Sequence, residues 1–318
     1  AFGMWFCHGY CEDMTQLSQA SLALLKDGVA RPNYNRGELK TGIVHFGVGG
    51  FHRAHMAMTI DRLLNAGLAK DWAICGVGLL EHDRKMRDVF EQQDCLYTLV
   101  LKHPDGHRET SVIGSIVDYI FAPDDPSALI DKLADPDTKI VSLTITEGGY
   151  NFDRVTGEFM ADTLAVAADL ESGATPTTAF GYVIEGLRLR RERGIAPFTV
   201  QSCDNIQANG EVAKKMFVAF AKLKDANLGA WVEANVHFPN SMVDRITPVT
   251  AADDIREVSE LTGLDDAWPV VAEPFFQWVI DDEFSLGRPE YEEADVQMVA
   301  DVMPYELMKL RLLNASHQ

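Results

Sequence analysis

The sequence predicts an α/β fold with a largely parallel β-sheet, and three observations support this class. Strand-like and helix-like segments alternate along the chain. A short apolar strand over residues 42–46 enters a glycine-rich turn, and helical spacing of apolar residues comes after it. Residues 140–146 form an apolar run rich in β-branched side chains, which is typical of a central parallel strand. A chain of 318 residues can bury a substantial core, as one large domain or two smaller ones.

The elements after the glycine turn are predicted in order from their apolar spacing. Met56, Ile60 and Leu63 recur at helical intervals, and Gly67 stands where that helix should end. Later segments are predicted as a strand (72–77), a helix (83–92), two strands that could form a hairpin (96–102 and 110–121), a helix (126–134), the central strand (140–146), a helix (177–193), a strand (198–202) and a helix (210–224). Residues 268–284 are too mixed in character for a prediction.

The two ends of the chain differ from the rest. A last helix is predicted from about Asp301, because Pro304 suits the first helical turn and Glu306 favours the positive end of the helix dipole. This helix runs to the last residue, so we expect the chain to stop inside a domain. Residues 1–13 differ in character from the remainder of the chain, and Met14 would make a natural start, so we expect a leader or cloning-derived sequence before it.

Charge and composition restrict the partners of the protein. The 28 basic and 48 acidic residues give a formal charge of −20, and so acidic a surface repels nucleic acid phosphates and anionic lipid. No apolar run approaches the roughly 18 residues needed to span a bilayer. We therefore expect neither a nucleic acid partner nor a membrane partner.

The five cysteines indicate a reducing compartment. Their number is odd, and Cys75 and Cys203 lie inside apolar, strand-like runs, so we expect free thiols in a cytoplasmic protein. Cys7 and Cys11 lie close together but lack a second ligand pair at zinc spacing. We therefore expect no metal site.

The glycine-rich turn after the first strand is a candidate dinucleotide-binding loop. At such a turn, backbone N–H groups and the helix dipole can hold a pyrophosphate. The predicted cofactor-binding residues of the turn are Gly47, Gly49, Gly50, Phe51 and Arg53. Arg53, in the first helical turn, could add a charged contact to phosphate. The sequence departs from G-x-G-x-x-G because His52 replaces the third glycine, and for His55 we prefer a solvated helix start.

Asp83, after the second predicted strand, is the candidate residue for selecting the dinucleotide. A carboxylate here can accept hydrogen bonds from both ribose hydroxyls of NAD and would repel the extra phosphate of NADP. Asp83 lies 34 residues after Gly49 (83 − 49), more than the usual ~20, so spacing alone does not single it out. Glu81 competes for the role, Asp83 could instead cap a helix, and Arg84 and Lys85 keep NADP open.

Four polar side chains share one face of the predicted C-terminal helix. They are Glu306, Lys309, Asn314 and His317. At about 100° per residue, they fall within an arc of about 140° that also holds two leucines. Such a mixture of apolar and ionisable groups suggests a buried functional face, although a helix with a few satisfied polar groups is the alternative.

Four motifs occur in order along the chain. They are FGVGGFHRAH (46–55), SCDN (202–205), NSMVDRITP (240–248) and K-x-x-x-x-N-x-x-H (309–317). Together they resemble the mannitol dehydrogenase family of polyol-specific long-chain dehydrogenases and reductases, from about residue 41 to the last residue. The resemblance implies an expanded Rossmann-type NAD-binding domain, which we place at residues 14–298. It also implies that residues 299–318 begin a mostly α-helical domain that is largely absent, with the active site between the two domains.

The resemblance implies catalytic roles for four residues. Lys309 matches the family's general base, which takes the hydroxyl proton as hydride leaves for the nicotinamide. A lysine can do so only where burial or nearby positive charge lowers its pKa. Asn205 and Asn314 match amides that hold the substrate oxygen, and His317 matches the histidine that orients it.

Three acidic residues have supporting roles in this interpretation. Asp244 matches a carboxylate that binds substrate or positions Lys309. Glu306 lies one turn before Lys309 and could relay the proton to solvent, an inference from spacing alone. Glu147 comes after a buried strand and is a candidate near the nicotinamide, whereas Asp204 is interpreted as structural.

The resemblance implies an NAD-dependent dehydrogenase that interconverts a mannitol-like polyol and its ketose without a metal. A hexuronate reductase of the same family, acting on fructuronate or tagaturonate, is the first alternative. A non-catalytic dinucleotide-binding module is the second. Because the family's chain continues well beyond this length, we expect this chain to bind NAD but to turn over poorly, if at all.

Overall fold

The computed structural model describes residues 15–313. The strands are β1 (Thr41–Phe46), β2 (Ala73–Gly78), β3 (Tyr97–Lys102), β4 (Arg108–Ile113), β5 (Ile116–Phe121), β6 (Ile140–Leu143), β7 (Thr199–Ser202), β8 (Ser241–Asp244), β9 (Val270–Ala272), β10 (Gln277–Asp281) and β11 (Gln297–Val299). The helices are α1 (Gly50–Ala54), α2 (Met56–Asn65), α3 (Arg84–Gln92), α4 (Pro126–Ala134), α5 (Thr146–Gly149), α6 (Leu164–Leu170), α7 (Ala179–Glu192), α8 (Asn209–Lys224), α9 (Ala226–Asn235), α10 (Ala252–Thr262) and α11 (Met303–Met308).

The main sheet has the strand order β5-β2-β1-β6-β7, and all its strands are parallel. The chain builds outward from β1 in one direction through β2 and β5, and then in the other direction through β6 and β7. This order is that of a Rossmann-type domain, in which ligands bind where the strand order reverses. The predicted α/β class and parallel sheet are confirmed, and the reversal point lies between β1 and β6.

The hydrophobic core lies on both faces of the main sheet. Alternate residues of β1 point to opposite faces, so that Ile43 and Val44 belong to different buried clusters. One cluster joins the sheet to α2 and to the small sheet β4-β3-β9, and the other joins it to α4, α7 and α8. In the described part of the chain, no helix is both long and apolar enough to cross a membrane.

The segment predicted as one strand over residues 110–121 is divided between two sheets. Its first half is β4, which pairs antiparallel with β3 as the expected hairpin, whereas its second half is β5 of the main sheet. The break falls at Gly114 and Ser115, which donate hydrogen bonds to the Asp61 carboxylate (2.8 Å) and the Ala57 carbonyl (2.7 Å) of α2. Contacts with a distant helix therefore interrupt a segment whose local pattern is that of a single strand.

The last described segment begins as the sequence predicts and then changes form. Pro304 lies in the first turn of α11, and the Val302 N–H bonds to the Asp281 carboxylate at 2.8 Å. After α11, residues Lys309–Leu313 form a π-helical turn, whereas a continuous α-helix was expected. Predictions that concern Asn314, His317, Cys7 and Cys11 lie outside the described residues.

Gly210 offers a test of how tightly α8 packs. An added Cβ would lie 2.5 Å from the carbonyl oxygens of both Phe238 and Pro239, and backbone atoms cannot move aside as a flexible side chain can. We expect Gly210→Ala to lower the free energy of unfolding by about 2–3 kcal/mol, measured by denaturant titration. Gly148→Ala is the matched control, because a Cβ there meets nothing within 4 Å. Equal stability of the two variants would contradict this packing.

Candidate active site

The glycine turn packs directly against the end of β6. Gly47 has a φ of 91°, a conformation that favours glycine, and an added Cβ would overlap the carbonyl oxygen of Thr144. The Gly49 N–H donates to the Gly47 carbonyl at 2.7 Å, and α1 begins at Gly50. The turn therefore comes after a strand and opens a helix, as predicted, and the structure places it at the reversal point of the sheet.

A buried hydrogen-bond chain fixes this turn from below. The Thr144 hydroxyl donates to the Gly47 carbonyl (2.7 Å) and lies 2.9 Å from His45 Nε2. His45 Nδ1 lies 2.7 Å from the Ser142 hydroxyl. Burial lowers the pKa of His45 to about 3, so the imidazole is neutral near neutral pH. The chain of hydrogen bonds ties β1 to β6 through neutral groups.

His52, at the position of the third glycine of the usual motif, packs against these hydrogen-bonded groups. Its ring lies parallel to that of His45, with the ring centroids 3.4 Å apart, and both rings are buried. A flat imidazole thus fills the space between α1 and β1. The expectation of a solvated helix start at His55 is wrong, because His55 is fully buried beside Phe51 and Trp278.

The Arg53 side chain is buried and lines neither of the two cavities beside the glycine turn, which corrects the prediction of a phosphate contact. Its side chain is 2% exposed and donates a hydrogen bond to the Trp268 carbonyl. The guanidinium carbon also lies 5.2 Å from the centroid of the Tyr97 ring and 5.9 Å from that of Trp268. Arg53 therefore joins α1 to the segment before β9.

Asp83 lines a cavity beside the glycine turn, and its carboxylate also binds the backbone of its own loop. Its Oδ2 accepts hydrogen bonds from the N–H groups of Leu79 (3.0 Å) and Leu80 (2.9 Å), and this shapes the turn after β2. The Asp83 side chain makes no capping hydrogen bond to α3. Asp83 lines a cavity, whereas its competitor Glu81 is exposed and is paired with Arg84.

Two cavities meet at the glycine turn. One, of about 540 Å³, runs from the turn to Glu147, Asn205 and Asp244, and the other, of about 600 Å³, runs over the end of β2 to Asp83. Each lies within the range of small-molecule sites. They share Gly47 and the end of β6, so together they form one cleft on both sides of the reversal point.

The structure brings Lys309 together with Asn205 and Asp244 at the far wall of the first cavity. The Lys309 ammonium donates to Asn205 Oδ1 at 3.0 Å and to the Val243 carbonyl, and lies 3.5 Å from Asp244 Oδ1. Lys309 is 7% exposed and Asp244 is 8% exposed, so both are largely shielded from solvent, whereas Asn205 is exposed. Asn205 comes after β7 and Asp244 ends β8, so three distant parts of the chain meet here.

Asp204 supports the loop that carries Asn205. Its carboxylate accepts hydrogen bonds from the N–H groups of Ile145 and Thr146 and from the Tyr150 hydroxyl, at 3.1, 2.8 and 2.8 Å. Burial raises the pKa of this carboxyl group. Asp204 thus connects the end of β7 to α5, as its structural interpretation requires.

Glu147 and Glu306 line different cavities, and Lys309 lines both. Glu147 lines the first cavity and forms an ion pair with the exposed Arg154. Glu306 accepts a hydrogen bond from the Ala208 N–H at 3.1 Å, and burial raises the pKa of its carboxyl group. A third, small cavity of about 110 Å³ is lined by both Glu306 and Lys309.

Sequence reasoning missed the two residues that hold the glycine turn, His45 and Thr144. The signal available was a histidine inside an apolar strand, which implies a buried polar group that needs partners. Thr144 carries no motif that distinguishes it from other threonines at strand ends. Among residues 15–313, no three His, Cys, Asp or Glu side chains are grouped so as to hold a metal ion.

The family model for the mannitol dehydrogenase Rossmann domain matches residues 41–293. The chain belongs to the mannitol dehydrogenase family. Mannitol dehydrogenase 2 of Saccharomyces cerevisiae is 50% identical over 306 residues, which are 95% of this chain and 60% of that protein. The polyol:NADP oxidoreductase of Gluconobacter oxydans is 48% identical over 95% of this chain and 62% of that protein.

The chain is also similar to a solved structure of a family member. Mannitol 2-dehydrogenase of Pseudomonas fluorescens, in a ternary complex with NAD and D-mannitol, superposes with a TM-score of 0.92 at 50% identity. The match covers 95% of this chain and 62% of that one. The chain thus spans about three fifths of the length of these family members.

The position of Arg53 predicts a structural role. Arg53→Met leaves the Trp268 carbonyl without its donor, so we expect the free energy of unfolding to fall by about 1–3 kcal/mol. The dissociation constant for NADH, measured by nicotinamide fluorescence, should change less than about twofold. Arg62→Met, on the exposed side of α2, removes the same charge and is the control. A large loss of NADH affinity at unchanged stability would instead support the hypothesis that Arg53 contacts phosphate.

Proposed function

We propose that this chain binds NAD and takes part in the interconversion of a mannitol-like polyol and its ketose, with Lys309 as the general base. One observation carries the proposal. The Lys309 ammonium lies between Asn205 and Asp244 at one end of a cleft whose centre is the glycine turn. A proton acceptor, oxygen-binding groups and a dinucleotide loop are thus arranged along a single cleft.

The residues present fit a dinucleotide. The cleft has one cavity on each side of the turn, which suits a ligand with two nucleotide halves joined by a pyrophosphate. Asp83 lines the cavity above β2, and a carboxylate there can accept hydrogen bonds from ribose hydroxyls. Bound NAD supplies the acceptor for the hydride of the substrate.

The residues near Lys309 have separate tasks in the proposed reaction. Uncharged Lys309 accepts the proton of the substrate hydroxyl group as the carbonyl forms. The Asn205 amide holds the ammonium through its oxygen, which leaves its NH₂ group to donate to the substrate oxygen. Asp244 lies 3.5 Å from the Lys309 nitrogen and stabilises the ammonium group that forms when Lys309 accepts the proton. Asn314 and His317 complete the oxygen-binding set in this proposal.

Glu306 is proposed to pass the proton on from Lys309. The small cavity that both residues line offers space for water between them. Burial raises the pKa of the Glu306 carboxyl group, so this group accepts a proton more readily than an ordinary glutamate does. Glu147, in the first cavity, is proposed to contact substrate or nicotinamide.

The comparisons support a neutral polyol as the substrate class. One relative is named for mannitol and another for polyols, and a solved relative forms a ternary complex with NAD and D-mannitol. A hexuronate reductase of the same family is the alternative hypothesis for the substrate. Fructuronate is therefore tested separately, as the alternative substrate to D-mannitol.

The proposal predicts a loss of turnover on removal of the base. Lys309→Arg keeps the positive charge but provides no neutral nitrogen base, so we expect kcat for D-mannitol oxidation to fall at least about a hundredfold. NADH affinity should change less than about threefold, because the cofactor loop is untouched. Lys215→Arg, on the exposed surface of α8, is the control.

The assay monitors NADH formation, and NAD titrations with and without D-mannitol accompany it. Because this chain is expected to turn over poorly, its response to substrate is read from binding. An unaltered chain whose affinity for NAD does not change when D-mannitol is added would contradict the proposed enzyme and favour the non-catalytic module. Turnover of fructuronate without turnover of mannitol would favour the hexuronate reductase. Unchanged kcat in Lys309→Arg would contradict the role of Lys309.

A further inference from the structure

A cluster of charged side chains beside Asp83 is not used by the proposed reaction. It consists of Glu81, in the turn before α3, Arg84 and Arg87, in the first turns of α3, and Asp124, in the loop after β5. Arg84 is the residue after the carboxylate that faces the ribose site, where an arginine can bind the 2′-phosphate of NADP. Since one relative of similar identity is named for NADP, membership in the family does not decide which dinucleotide is preferred.

All three guanidinium nitrogens of Arg84 are bonded to carboxylates. Nε and Nη2 donate to the two oxygens of Glu81 at 2.6 and 3.1 Å. Nη1 donates to both oxygens of Asp124 at 3.0 Å. The guanidinium also stacks on Phe121, with its carbon 4.6 Å from the ring centroid. Bidentate pairs in a network hold an arginine more firmly than one exposed ion pair does.

The neighbouring cations are occupied as well. Arg87 donates to Asp124 Oδ2 at 2.5 Å and lies 2.7 Å from an oxygen of Asp88. The Lys85 ammonium lies 4.5 Å from the centroid of the Trp268 ring, in a cation–π contact. The positive charge of the cluster and its neighbours is offset by nearby carboxylates, which are those of Glu81, Asp83, Asp88 and Asp124.

We propose that Glu81 and Asp124 determine dinucleotide specificity by holding Arg84 away from the ribose site. A 2′-phosphate entering the site meets the Asp83 carboxylate, and every guanidinium nitrogen of Arg84 is already bonded to Glu81 or Asp124. Binding it through Arg84 requires the Glu81 and Asp124 hydrogen bonds to break first. The chain thus excludes NADP in two ways, by the charge of Asp83 and by the occupation of Arg84. This inference rests on the proposed binding of NAD.

The test compares the dissociation constants of NADPH and NADH, each measured by nicotinamide fluorescence. Asp83→Asn serves as the background, because its side-chain oxygen can still accept from the loop N–H groups that Asp83 Oδ2 binds. In this background, the double change Glu81→Gln and Asp124→Asn should lower the ratio of the NADPH constant to the NADH constant at least about threefold. Thermal unfolding of every variant verifies the fold.

Two further substitutions separate release of Arg84 from a general change of charge. Adding Arg84→Gln to the triple variant should abolish the gain in NADPH affinity. Adding Arg87→Gln removes the same charge from the same cluster and should leave most of the gain. An unchanged ratio in the triple variant, or equal effects of the two arginine substitutions, would overturn the inference. Failure of the unaltered chain to bind NADH would instead contradict the proposed function, and this inference with it.

Discussion

The packing of Gly47 against Thr144 is the constraint on which the cleft depends. A side chain at Gly47 would overlap the Thr144 carbonyl, and the Thr144 hydroxyl holds the Gly47 carbonyl in place. His45 completes this contact from inside the sheet, and burial keeps its imidazole neutral. Both large cavities share Gly47 and Thr144, so a change in this single contact alters the two halves of the cleft together. A polar contact that is dry and neutral is well suited to such a place, because it holds its geometry without a charge that needs solvation.

The other end of the cleft is assembled by a second sheet. Asp244 ends β8, which belongs to the sheet β11-β10-β8, and this sheet also anchors the segment that carries Lys309. The Val302 N–H bonds to Asp281 of β10, just before α11 begins. The segment that carries Lys309 is therefore anchored to the second sheet. Its hydrogen-bond partner Asn205 comes after a strand of the main sheet. The site lies where the two sheets meet, and the distance from glycine turn to lysine is set by how they pack.

Much of this arrangement could be predicted from the sequence, because its determinants are local. The parallel sheet, the glycine turn and the start of the last helix result from apolar spacing and from residues with special backbone preferences. The grouping of Lys309 with Asn205 and Asp244 came from motifs and is seen in the structure. The failures concern residues whose environment is set by distant parts of the chain. Arg53 is buried because the segment before β9 supplies a carbonyl group and an aromatic ring, and the break in the strand at Gly114 depends on Asp61 of the distant helix α2.

The affinity of the Thr144→Val variant for NADH tests most directly whether this contact positions the dinucleotide loop. Valine is similar in shape to threonine, but a methyl group replaces the hydroxyl that donates to the Gly47 carbonyl and bonds to His45 Nε2. We expect the NADH dissociation constant to rise about fivefold, because both hydrogen bonds of this hydroxyl are lost, and the melting temperature to stay within a few degrees. Ser142→Ala, which removes the outer partner of His45 and leaves the contact with Gly47 in place, should have a smaller effect on NADH affinity. Equal NADH affinity in the unaltered chain and in Thr144→Val would contradict the claim that this contact positions the dinucleotide loop.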